Sequence, residues 1–171
     1  MIENNKGLIN KFESPKDTSM KHLKKMSFDY KRNKYPSVPI LDIPKTNYKD
    51  KTANGLTKCI KDFLNLSGWQ AERINNTGRM VDGRTAFTDV LGRCRTVGSV
   101  GWVKGTGTDG TADISATIKG MSVKIEIKIG SDRQSEAQRN YQHIIEKAGG
   151  IYFIAKDFAQ FYSWYLKTFT P

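Results

Sequence analysis

Histidine and cysteine are scarce in this sequence. Two His (His22, His143) and two Cys (Cys59, Cys94) in 171 residues exclude a His-built metal centre, a His-based triad, a disulfide framework and a zinc ligand set. Cys59 falls on the apolar side of a predicted helix, where a cysteine serves as a small core residue. Long apolar runs are missing as well. None approaches the roughly 18 residues needed to span a bilayer, and the N-terminus has no apolar segment of the secretory type. These absences predict an intracellular, reduced protein with no membrane partner. Internal repeats and low-complexity tracts are also lacking.

Negative charge is in short supply: 17 Asp+Glu stand against 28 Lys+Arg, a net +11. Such an excess predicts a polyanionic partner, with nucleic acid ahead of an anionic membrane. Proline is rare and unevenly spread, with four of five (Pro15, Pro36, Pro39, Pro44) in residues 1–50. That segment carries 11 basic and 6 acidic side chains, many Asn, and no sustained apolar period. It has little apolar surface to offset its ordering entropy. The expectation is a basic, largely disordered arm over 1–50, with at most a helical turn around "SMKHLKKM".

From residue 51 the pattern becomes regular. Leu56, Cys59, Ile60, Phe63 and Leu64 recur at helical spacing over 52–66, and Gly68 suits the position past a helix end. "WQAERI" (Trp69 to Ile74) predicts a strand closed by the turn-prone "NNTG". Residues 79–110 are rich in Gly and Arg, with weak strand signals near "TVGSVGWV". Further on, "SEAQRNYQHIIEKAGG" predicts a helix with Tyr141, Ile144, Ile145 and Ala148 on one face. A short buried strand "IYFIA" follows, then a helix capped by Asp157 that buries Phe158, Phe161, Tyr162 and Tyr165. This order predicts an α/β layer of helices packed on a mixed sheet.

Between the Arg-rich segment and that helix lies "GTADISATIKGMSVKIEIKIG", two alternating strands around Lys119-Gly120. Side chains alternate with period two. Ala112, Ile114, Ala116 and Ile118 therefore share a face with Val123, Ile125, Ile127 and Ile129. A two-residue turn pairs Ile118 with Met121, which sets Asp113 opposite Glu126. Opposed residues hold their Cβ atoms about 4.5–5.5 Å apart, so two carboxylates there repel unless something neutralises them. Two readings fit: a solvated polar face on which Lys124 and Lys128 balance the acids, or a cation site between the acids.

An Asp on one hairpin strand and an (Asp/Glu)-x-Lys on the next resembles the PD-(D/E)XK nuclease superfamily. Asp113 and Glu126-Ile127-Lys128 are the matching residues. Within it the chain is most similar to the VRR-NUC group, the virus-type replication-repair nucleases. The Gly-rich lead-in "GTGTDGTADI", the "KIEIK" strand, "SEAQ" and "AGGIYFIA" carry that likeness across roughly residues 51–167. The resemblance implies a restriction-endonuclease-like core with a catalytic hairpin, spanning residues 51–171, and a Mg²⁺- or Mn²⁺-dependent DNA endonuclease. Asp113, Glu126 and the backbone carbonyl of Ile127 would hold the metal. Lys128 would orient the attacking water and stabilise developing charge, and Gln138 would meet the scissile phosphate or a metal-bound water. It further implies a homodimer acting on branched or flap DNA. An inactive DNA-binding module of the same fold is the alternative.

The chain departs from that pattern in two places. Ala112 replaces the motif's Pro, and the first helix carries only Asp62 as an acid, on its polar side, where many members have a Glu. Asn54, near that helix start, reads as an N-cap. Asp109 lies in a Gly-rich turn before the strand, so Asp113 is the preferred ligand. Gln138 has a second reading, since Ser135-x-x-Gln138 spells a capping box. Arg73, Arg79, Arg84, Arg93, Arg95 and Lys104 crowd the segment before the hairpin and read as phosphate contacts that position DNA without reading sequence.

Overall fold

In the computed structural model, which describes residues 15–75, 78–103, 105 and 107–170, helices and strands follow the expected order with two additions. The elements are α1 (Pro15–Lys34), a 3₁₀ turn (Ile40–Asp42), α2 (Ala53–Leu66), β1 (Gln70–Arg73), β2 (Arg79–Asp82) and β3 (Thr85–Thr88). They continue as β4 (Cys94–Val97), β5 (Val100–Val103), β6 (Ile114–Ile118), β7 (Met121–Ile127), α3 (Glu136–Lys147), β8 (Ile151–Ala155) and α4 (Phe158–Phe169). The central sheet has the order β1-β6-β7-β8. Its first three strands are antiparallel, whereas β8 runs parallel to β7, because α3 returns the chain by a crossover. The protein is thus a mixed-sheet α/β fold, the class that the sequence order predicts.

The centre of that sheet is set by its tightest turn. Lys119 and Gly120 both have positive φ, 49° and 79°, the two-residue geometry whose twist matches the flanking strands. Ile118 accordingly faces Met121, and Ile114 faces Ile125. This register sends Ile114, Ala116, Ile118, Val123, Ile125 and Ile127 into one core with Leu56, Ile60 and Phe63 of α2 and Phe158 and Phe161 of α4. Helix α2 starts two residues earlier than its Asn suggests: Thr52, not Asn54, is the N-cap, accepting from the Gly55 amide. Gly55 is required for another reason, since a Cβ there would come within 2.2 Å of the Lys49 carbonyl oxygen.

The two additions lie outside that core pattern. Residues 15–50 are not the disordered stretch expected from their composition; residues 1–14 of that arm lie outside the described residues. Helix α1 spans 20 residues and docks on α2 and α4 through Leu23, which is 0% exposed and part of the core. Met20 and Met26 pack beside it. The connecting segment is tied down by Lys31, whose ammonium donates to the Pro44 carbonyl and the Thr46 hydroxyl. Asp50, itself buried, accepts from the Phe158 amide at the start of α4. A few well-placed apolar side chains and polar ties suffice where mean hydropathy is too low to signal a helix.

The second addition is a β-ribbon. Arg79 pairs with Val103 and Asp82 with Val100, then Thr85 with Val97 and Thr88 with Cys94. The pairing keeps a single register across a crossing at Gly83 and Gly98, where a Cβ on Gly98 would meet the Gly83 carbonyl at 2.2 Å. All four strands are exposed along their length. A ribbon with no buried face shows no inward–outward alternation, so only weak strand signals mark it in the sequence.

Docking of α1 makes a quantitative prediction. Leu23→Ala lowers the unfolding free energy by about 2–5 kcal/mol in urea denaturation, as expected for a buried leucine. A change within about 0.5 kcal/mol, the usual range for a surface substitution, would mean that the helix does not dock.

Candidate active site

At its open end the polar side of the β6–β7 hairpin is buried rather than solvated. Glu126 is 1% exposed and Lys128 is 7% exposed. That excludes the reading of these two groups as a water-facing balance of charges. Alternation places them on the face opposite Ile125 and Ile127, the side against which α3 lies. Asp113 stands at the open end of the hairpin, one residue before the ladder begins. Its Oδ2 accepts from the Ile127 amide at 2.9 Å, which ties it to the residue beyond Glu126.

Three side chains converge on the Glu126 carboxylate. Gln138 Nε2 donates to Oε1 at 2.5 Å, Lys128 Nζ lies 3.1 Å from the same oxygen, and the Tyr152 hydroxyl reaches Oε2 at 3.4 Å. Lys128 also approaches Asp132 Oδ2 at 3.5 Å. Lys124, the other cation expected to balance the acids, turns instead to Ser115 on the facing strand. Burial, and next the charge of Asp113, push the Glu126 carboxyl above its ordinary range, while Lys128 and Tyr152 oppose the rise. Burial and then the Glu126 charge likewise raise the Tyr152 phenol.

Gln138 performs the capping role read from the sequence and makes a second contact that was not read there. Its Oε1 accepts from the Ser135 amide while Ser135 Oγ accepts from the Gln138 amide, a complete capping box. The amide nitrogen at the other end of the same side chain holds Glu126. The Gly-rich lead-in passes close to this helix start: a Cβ on Gly110, where φ is +79°, would lie 2.3 Å from the Ala137 backbone. The lead-in that carries Asp113 therefore runs against the helix start that carries Gln138. Asp109 lies in the exposed turn before the strand. Asp62 faces away from the cluster and accepts from the Tyr48 hydroxyl.

The donors suit a hard divalent cation in type. Two carboxylates and the Ile127 carbonyl are all oxygen ligands, and each carboxylate offers about four lone-pair positions. They are few: among the described residues no group of three or more His, Cys, Asp or Glu could hold a metal. Waters would have to complete the shell, as they commonly do around Mg²⁺. Among the described residues no helix is long and apolar enough to cross a membrane.

The basic residues are less concentrated than the sequence suggests. Arg73 ends β1, whereas Arg79, Arg84, Arg93 and Arg95 are strung along the ribbon. Arg84 is forked onto Asp82 by two hydrogen bonds of 2.9 and 2.7 Å, and Arg95 pairs with Asp89 at 2.7 Å. These contacts hold both aspartates below the usual carboxylate range, through Arg84 for Asp82 and chiefly through the Arg93 amide for Asp89. Lys104 lies outside the described residues. Tyr152 and Asp132 are the two cluster members that sequence reasoning missed. For Tyr152 the signal is its parallel register with Lys124, which sets it on the Glu126 face.

The chain matches no protein-family profile, no curated protein and no solved structure.

The raised carboxyl predicts a pH-dependent stability. A carboxyl whose folded pKa exceeds its unfolded value binds its proton more tightly when folded, so stability falls as pH climbs from the unfolded pKa through the folded one. Between those two values wild-type stability should fall with rising pH in thermal melts, and Glu126→Gln should lack that fall. An identical pH slope in both proteins would contradict the assignment.

Proposed function

We propose that the chain is a divalent-metal-dependent DNA endonuclease with a restriction-endonuclease-like core. The observation that carries this reading is the meeting of Asp113, Glu126, Lys128 and Gln138 at one end of a single hairpin. A buried carboxylate with a raised pKa is poorly explained by stability alone, because replacing a buried ion pair with apolar side chains is often neutral or stabilising. Such groups concentrate at functional sites.

When bound, a Mg²⁺ or Mn²⁺ ion supplies charge neutralisation at the phosphate and a bound water of lowered pKa. Asp113, Glu126 and the Ile127 carbonyl would hold it. Lys128 has three donors, two of which its present partners Glu126 and Asp132 can occupy; the third is available to orient the attacking water and offset the negative charge that grows on the phosphate. Gln138 braces Glu126 from the first turn of α3, where free backbone N–H groups also favour a phosphate. Arg79 and Arg93 on the ribbon, with Arg73, would contact the DNA backbone. A homodimer acting on branched or flap DNA belongs to the same reading.

A second reading has its own support. Both Glu126 oxygens are already engaged by protein groups, which also suits an inactive DNA-binding module of this fold. Cleavage assays on linear, nicked, flap and four-way DNA with Mg²⁺ or Mn²⁺ separate the two. Wild type should cut, Glu126→Ala should not, and Lys128→Ala should lose at least about a hundredfold in rate, as for loss of one charge-stabilising donor. Full activity in either variant would remove the proposed site, and an inert wild type would favour the module.

A further inference from the structure

A cleft of about 750 Å³ opens between α1, the segment that follows it and α2. It lies across the sheet from Glu126, since α1 and α2 pack on the apolar face and α3 on the other. Its lining includes Lys31, Lys34, Lys45 and Lys58 against the one acid Asp62. Lys31 is spent on structure, bonded to the Pro44 carbonyl and the Thr46 hydroxyl. Tyr48 forms the floor, buried and hydrogen-bonded to Asp62. Tyr30 and Tyr35 stand at the rim, 53% and 48% exposed.

Cations and rings alternate here. Lys34 lies 5.8 Å from the Tyr30 ring centre and 5.5 Å from that of Tyr35, and Lys58 lies 5.7 Å from Tyr48. A neighbouring groove of about 260 Å³ continues the pattern past Lys45 with Lys24, Lys25 and Phe28. Exposed rings interleaved with ammonium groups match a ligand that alternates flat, stackable rings with anions. A nucleotide strand has that chemistry. A duplex does not offer its base faces, because they are stacked on one another. Two adjoining grooves sharing Lys45 exceed what one nucleotide fills.

We propose that this cleft binds single-stranded nucleic acid, with bases stacked on Tyr30 and Tyr35 and phosphates met by Lys34, Lys45 and Lys58. The binding stands independently of the proposed nuclease site and survives its failure.

The test is fluorescence anisotropy of the full chain with a labelled oligo(dT) strand, across a salt series and without divalent cations, so that cleavage does not enter. The Tyr30→Ala/Tyr35→Ala variant should weaken strand binding by roughly fivefold or more and leave affinity for a blunt duplex unchanged. Lys45→Gln/Lys58→Gln should flatten the salt dependence by roughly 0.7 per lysine removed. The phenylalanine pair, Tyr30→Phe/Tyr35→Phe, keeps the ring faces and should bind as wild type, which separates stacking from loss of fold. Unchanged strand affinity in the alanine variant, or equal weakening towards duplex, would overturn the proposal. So would thymidine monophosphate competing as well as the strand, since that marks a pocket for one nucleotide.

Discussion

One buried ion pair governs the polar face of the central sheet. Glu126 and Lys128 lie two residues apart on β7 and its extension, both nearly inaccessible to water, with Nζ and Oε1 3.1 Å apart. Burying two charges has an effective penalty of several kcal/mol per ion. The surrounding structure must therefore supply partners for every polar atom, and it does: among the described residues no buried side-chain nitrogen or oxygen is left without one. Gln138 comes from α3, Tyr152 from β8 and Asp132 from the loop between them and β7. Three separate elements are thereby pinned to one ion pair, α3 and β8 through Glu126 and the loop through Lys128.

That constraint explains features which otherwise look unrelated. The capping box of α3 does more than start a helix, because its Gln side chain is shared with Glu126. The positive φ of Gly110 lets the lead-in to β6 pass against that same helix start, which delivers Asp113 to the neighbourhood of the pair. The proximity of Asp113 raises the Glu126 carboxyl further. A cation bound between the two acids would offset both the burial and the repulsion that raise the Glu126 carboxyl. The nuclease reading rests on the meeting of these groups, and this conflict of charge with environment adds to it. The basic cleft lies on the opposite face of the sheet and shares no lining residue with the Glu126 cluster.

The sequence made the hairpin legible to the residue. Alternation plus a two-residue turn specified the register from Ile114–Ile125 to Ile118–Met121, and Asp113 and Glu126 lie just beyond the last paired positions. The capping box and the core faces of α2 and α4 were legible for the same reason, since each depends on local spacing. What could not be read came from tertiary context. Composition made residues 15–50 look incapable of order, yet docking of Leu23 and the ties from Lys31 and Asp50 hold them in place. The apolar face expected on α3 is only half used, with Ile144 exposed. The Arg-rich segment hid a ribbon because neither of its faces is buried, and the neutralising Asp82 and Asp89 were legible as acids but not as partners.

The most direct measurement is calorimetric titration of Mn²⁺ into the full chain near neutral pH, with Asp113→Asn alongside. Binding by wild type that is lost in Asp113→Asn is the result expected if the two acids form a cation site. An equal heat in both proteins, or no binding in either, would contradict it.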